Sequence, residues 1–231
     1  MNKPAQKLEK PHYIGHRQRL RERFLAEPDA LPDYELLELL LFASNPRGDT
    51  KPLAKTLLKQ FGDLTGILSA SEAELKKIDG IGDAAVVAIK TAHLCGIRML
   101  QGHVMNKPVI ASWKHLLDYC HARMAHQKTE EVRLLFLDAK NQMIADEKIQ
   151  QGTVDQAAIY TREIVKRSLE LHASAVIMVH NHPTGDPQPS KDDIAITKNV
   201  QKALAVVDIR LHDHLIIGKN GHQSLKSAGI I

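Results

Sequence analysis

The sequence predicts an α+β two-domain protein, with an all-α N-terminal domain and an α/β C-terminal domain, and three observations carry that reading. Apolar residues at helical spacing, without strand alternation, fill the first hundred residues. The stretch QGHVMNKPV at 101–109 has no periodicity, contains Gly102 and Pro108, and separates two textures. Beyond it, strand-like and helix-like segments alternate, the pattern of an α/β layer. We therefore place the domains at 1–102 and 109–231. A chain of 231 residues can bury a core in each, and its 43% hydrophobic and 25% charged residues exclude a largely disordered or fibrous protein.

Taken in order, residues 1–30 are polar and basic. Pro4 and Pro11 interrupt any early helix, and HRQRLRERFL from His16 is the first helical stretch. Residues 1–25 hold seven cations, Lys3, Lys7, Lys10, Arg17, Arg19, Arg21 and Arg23, against Glu9 and Glu22. This arm exceeds the +4 of the whole chain, so the remainder is near neutral and any nucleic-acid footprint starts here. YELLELLLF clusters Leu36, Leu37, Leu39, Leu40 and Leu41 on a helix for burial, with Asp33 as its cap. KPLAKTLLKQFG repeats the spacing with Leu53, Leu57, Leu58 and Phe61 and ends at Gly62. SEAELKKIDGIGDAAVVAIKTAHLCGIRML adds two helices around a Gly-Ile-Gly turn.

In the second half a helix at 113–124 precedes VRLLFLD and MIADEKIQQGT, a hairpin turning at Lys140-Asn141. TREIVKRSLELHA is a helix, AVIMVH a buried strand, SKDDIAITKNVQKALAVV a helix and IRLHDHLIIG a final strand. Cys95 and Cys120 lack CxxC spacing and read as small buried residues, not as a zinc knuckle or a disulfide pair. No apolar run approaches the roughly 18 residues of a membrane span. The N-terminus has no apolar targeting region, so a cytoplasmic protein without membrane partners is expected.

The stretch that carries chemistry is VHNHPTGDPQPSKDD, from Val179 to Asp193. Strand alternation puts His180 and His182 on one face, roughly 6.6 Å of rise apart, where both can reach one metal ion. Pro183, Gly185, Pro187 and Pro189 shape a tight loop that returns the chain, and Asp193 opens the next helix. Two histidines and one aspartate around Zn²⁺ leave a fourth position for water, as a hydrolytic site requires. Helix capping explains the Ser190 and Asp193 pair on its own, because S-x-x-D is a capping signature. It leaves unexplained the two histidines and the carboxylate gathered at one strand end.

His180-x-His182, seven residues, Ser190, two residues, Asp193 is the full JAMM pattern of the JAB/MPN metalloprotease-like superfamily, and HNHPTGDPQPS resembles its bacterial RadC-like branch. That branch usually has Ser at Thr184, so the hydroxyl is retained. GHRQRLRERFL, ELLELLLF, KPLAKTLLKQFG, the GIG turn, RLLFLDAKN and LHDHLIIG extend the resemblance over most of the chain. It implies a JAB/MPN-like C-terminal domain with a mixed sheet, His180, His182 and Asp193 as zinc ligands, and Ser190 as support for an oxyanion. It also implies a glutamate that shuttles a proton. Glu130, opening EEVRLLFLD, falls at the matching place, although Arg133 stands where related domains have glycine. Glu131, Glu147 and Glu163 are rivals. His212 and His214 are assigned structural roles, holding a ligand or satisfying the core.

Lys76, Lys77, Gly80, Ile81 and Gly82 look like part of a helix-hairpin-helix element, which offers main-chain N–H groups to phosphates without base specificity. With Arg17 and Arg19 they form the candidate DNA contacts, while Asp79 and Asp83 beside the turn oppose them. The leading expectation is a zinc-dependent hydrolase of protein or peptide amide bonds. One alternative is a DNA repair or recombination factor with metal-dependent nuclease activity, for which a single metal is a poor match. The other is a non-catalytic binding module.

Overall fold

Leucines three and four apart close residues Asp33–Leu41 into a helix whose Leu37 and Leu41 are fully buried. The structure is a computed structural model that describes residues 15–152 and 161–231; Lys3, Lys7, Lys10, Pro4, Pro11 and Glu9 of the basic arm lie outside these. It divides into two compact units, Met1–Leu94 and Cys95–Ile231.

Within the first unit run α1 (His16–Ala26), α2 (Asp33–Leu41), α3 (Lys51–Phe61), α4 (Leu64–Ser69), α5 (Glu72–Leu75) and the start of α6 (Asp83–Gly102). Leu37, Leu41, Leu57, Ile67, Leu75 and Ile89 form the core. Asp33 is the first residue of α2 and not its cap, because Pro32 holds the cap position, where it accepts no side-chain bond. Gly62 ends α3 with a φ of 90°, a conformation that favours glycine, and its N–H donates to Leu58 O. Lys90 of α6 donates to Leu68 O and Ala70 O, satisfying carbonyls where α4 ends. Cys95 is exposed while Cys120 is buried, correcting the expectation that both are interior; Ile97 of the same helix faces inward instead.

The unit division falls between Leu94 and Cys95, earlier than the boundary expected at 102–109. The reason is packing. Ile97, Val104 and Val109 belong to the core of the second unit, and bridges from Met105 to Met143 and Pro108 to Gln142 hold the segment. It lacks periodicity because it has no regular backbone, although its apolar side chains are buried.

The second unit continues with α7 (Trp113–Met124), β1 (Glu130–Leu137), β2 (Met143–Gly152), α8 (Thr161–Glu170), β3 (Ala175–Asn181), α9 (Lys191–Ala205), β4 (Arg210–Gly218) and β5 (Gly221–Ser224). These strands form a mixed sheet in the order β2-β1-β3-β4-β5, antiparallel except for β3 beside β4. The β1–β2 turn uses Asp138 as acceptor for Lys140 and Gln142, with Asn141 at φ 56°. One face packs Leu135, Ile177, Val179 and Leu215 against α7; the other packs Leu134, Phe136, Val176 and Met178 with α8 and α9 residues such as Ile164, Val200 and Leu204. Both faces of β1 are covered, which is why VRLLFLD does not alternate cleanly. β5 was not expected, because the short polar stretch GHQS carries no apolar alternation.

Candidate metal centre

β3 and β4 run parallel, and α9 crosses from the end of one to the start of the other. The α9 N-terminus is thereby returned to the C-terminal end of β3. His180 alternates with Met178 and so faces α9, and His182 continues past the strand end, donating its N–H to Ile217 O of β4 at 2.9 Å. His182 Nδ1 lies 2.8 Å from Asp186 O, inside a turn closed by Gly185 N–H on His182 O. A Cβ on Gly218 would stand 2.3 Å from Gly185 O, so the glycine ending LHDHLIIG is what lets this loop close on β4.

His180, His182 and Asp193 offer three donor atoms at one point. Their separations are 2.9 Å between the two Nε2 atoms, 3.2 Å from His180 Nε2 to Asp193 Oδ1, and 3.4 Å from His182 Nε2 to Asp193 Oδ2. Donors placed tetrahedrally about 2.05 Å from zinc stand about 3.3 Å apart, so the set fits such an ion. Ser190 caps α9: its Oγ accepts from Asp193 N–H at 3.0 Å, and Asp193 Oδ2 accepts from both N–H and Oγ–H of Ser190 at 2.7 Å. Burial acts to raise the Asp193 carboxyl, but hydrogen bonds from His180 and His182 outweigh it and hold the group well below the carboxylate range. The hydrogen bond to Asp193 raises His182, against burial, with Asp186 O and the Asp193 and Glu130 charges helping.

Glu130 is placed by register. Val132 pairs with His180 across antiparallel strands, so Glu130 comes level with His182 on the same face. Its rivals are engaged elsewhere. Glu131 turns to the opposite face and binds Arg133 at 2.6 Å, where Arg133 also holds Asp146 at 2.7 Å. Glu147 pairs with Arg167 and Glu163 with Arg162.

The profile of the RadC-like JAB domain matches residues 110–230, more than half of the chain, and that of the UPF0758 N-terminal domain matches 13–87. The chain belongs to the RadC-like JAB family. A UPF0758 protein of Ruegeria pomeroyi is 50% identical over 223 residues, covering 96% of this chain and 100% of that one.

Two partners of the centre in this RadC-like domain escaped sequence reasoning. Asn181, between the two histidines, points to the other face, fully buried; it accepts from Glu131 N–H at 2.9 Å and donates to Thr129 O at 3.2 Å and Gln127 O at 3.4 Å. Thr197, four residues after Asp193, lies within hydrogen-bond reach of both Asp193 O and His214 Nδ1. The alternation of HNH is the signal that finds the first, and the i, i+4 spacing from a ligand finds the second. His214 is buried against His180, as expected for a structural histidine, whereas His212 falls at a register shift of β4 and lines a separate cavity with Arg210 and Lys226.

The DNA-contact candidates sit in the other unit. Arg17 places its guanidinium on the carbonyls of Phe42, Asn45 and Gly48. Arg19 and Lys77 are exposed. Lys76 binds Glu72 and Asp83, each at 2.7 Å, and these hydrogen bonds, Asp83 first, raise it. Gly80 takes a φ of 89°, Ile81 is buried in the core, and Gly82 O accepts from the N–H groups of Ala85 and Val86. The Asp83 carboxylate lies in the first turn of α6. No helix among the described residues is long and apolar enough to cross a membrane.

Proposed function

We propose that this RadC-like protein is a zinc-dependent hydrolase of amide or isopeptide bonds in a protein or peptide. The observation that carries the reading is the donor triangle of His180, His182 and Asp193, with edges close to those of zinc and Glu130 level with it on the same face. Zinc held there supplies Lewis acidity, activating water and polarising a carbonyl. The residues do the rest. Glu130 takes the proton of the attacking water and passes it to the leaving nitrogen. Ser190 turns its hydroxyl hydrogen from Asp193 Oδ2 to the developing oxyanion, while its N–H keeps hold of the carboxylate.

Metal analysis of purified wild type, His182→Ala and Asp193→Asn tests the site, with zinc expected in the wild type and lost from both variants. Unchanged zinc content in the variants overturns the reading. Glu130→Gln is expected to keep zinc and lose peptide hydrolysis, retaining bound substrate that the wild type releases.

A further inference from the structure

His214 and Thr197 lie outside the donor triangle, yet hydrogen bonds tie both to it. The direction of each bond follows from which atoms carry hydrogen. Asp193 O only accepts, so the single hydroxyl hydrogen of Thr197 lies on that contact. Thr197 Oγ1 then has only lone pairs to offer His214 Nδ1, which must donate. His214 is 1% exposed, so the ring lies out of reach of water. A neutral ring with hydrogen on Nδ1 presents Nε2 as a lone pair, and that atom is 2.8 Å from His180 Nδ1. A His180 that gives Nε2 to a metal carries its hydrogen on Nδ1 and donates it to that lone pair, with Nε2 the atom turned toward His182 and Asp193.

We propose that Thr197 and His214 are positioning residues that lock His180 in its Nδ1–H form and so deliver its Nε2 lone pair to the metal position. The inference rests on the zinc reading above and adds how one ligand is prepared. The lock is a closed circuit: the Asp193 main chain holds Thr197, Thr197 holds His214, His214 holds His180, and His180 meets the Asp193 side chain. One helix, α9, supplies a ligand and, one turn on, the anchor that orients another. A neutral hydroxyl and a carbonyl end the relay where many metal sites use a carboxylate. An imidazole free in water prefers hydrogen on Nε2, so the Nδ1–H form of both buried rings is the relay's signature.

The test reads that signature and the metal separately, on the full chain. Long-range ¹H–¹⁵N spectra of metal-free protein, at a pH where His182 is neutral, are expected to show His180 and His214 with hydrogen on Nδ1. Thr197→Val removes the acceptor at constant size, so both rings are expected to change to Nε2–H and zinc affinity, by chelator competition, to fall about 10- to 100-fold. Thr197→Ser keeps the hydroxyl and is expected to restore both. Wild-type rings in the Nε2–H form, or a Thr197→Val protein that binds zinc like wild type, overturn the proposal. Nδ1–H rings in a wild type that takes up no zinc support the lock and overturn the metal reading alone. The wild-type spectrum does not depend on any variant folding.

Discussion

Replacing Asn181 with alanine tests whether the residue between the two histidines fastens the start of β1. Its side chain is fully buried and holds three main-chain groups. The Gln127 contact, at 3.4 Å, is long and adds little, and Thr129 is exposed enough for its carbonyl to turn to water. Glu131 is different: buried on β1, its N–H loses its acceptor outright. A stranded buried donor costs about 1–3 kcal/mol and a lost ordinary bond about 1 kcal/mol, so the variant should lose about 2–4 kcal/mol. Urea unfolding of the full chain, followed by fluorescence of its single tryptophan, Trp113 in α7, reports the unit concerned. Asn181→Asp keeps the acceptor for Glu131 but turns a carboxylate toward two carbonyls, so it too should destabilise, and less so in acid, where the added proton can donate. A loss below about 1 kcal/mol for Asn181→Ala at unchanged denaturant slope would refute the reasoning.

Four further outcomes follow from other contacts. In metal-free protein the Asp193 hydrogen bond raises His182 above 6.5, so its contribution to stability is full below that value and is lost as pH rises through the folded one. Asp193 is depressed, so its contribution is present above 3.8 and lost toward strong acid; melting of chelated protein across pH should show both flanks, and His182→Gln should flatten the alkaline one. Zinc affinity should move the other way, rising with pH as the His182 proton ceases to compete, which calorimetry in two buffers reads as proton release. Lys90→Met leaves Leu68 O and Ala70 O without their donor and should cost about 1.5–3 kcal/mol, seen as faster hydrogen exchange in α4; unchanged exchange counts against it. Gly218→Ala must push Gly185 O away from 2.3 Å, displacing the loop that fixes His182, so zinc content should drop while the secondary structure stays.

Much of this was legible in the sequence because it is local. Strand alternation placed His180 and His182 together, helical leucine spacing gave α2 and α3, and the Lys140-Asn141 turn followed from its residues. What was not legible is what depends on pairing between distant segments. The sequence does not separate Glu130 from Glu131, whereas the pairing of β1 with β3 sets Val132 against His180 and Glu131 binds Arg133 on the other face. Ile97, Val104 and Val109 gave no periodic signal because two of them sit in an irregular segment buried under tertiary contacts. The charge of Arg17 is visible in sequence, whereas the three distant carbonyls that its guanidinium contacts are not.

The helix cap at Ser190 and Asp193 and the proposed metal site are one arrangement. A carboxylate at the third position of a helix is normally free to rotate toward water, at a cost in ligand order when a metal must be bound. Here the capping box removes that freedom: Ser190 N–H and Oγ–H both grip Oδ2, which fixes the carboxylate plane and leaves Oδ1 facing His180. The α9 N-terminus adds its partial positive charge, favouring the ionised form that a ligand needs. From the other side the Asp193 main chain anchors Thr197, and through it His214 and His180. The first turn of α9 thus organises the donor set twice, once through the Asp193 side chain and once through its carbonyl. This accounts for the placement of serine, aspartate and threonine at 190, 193 and 197 by the geometry of one helical turn and its neighbours.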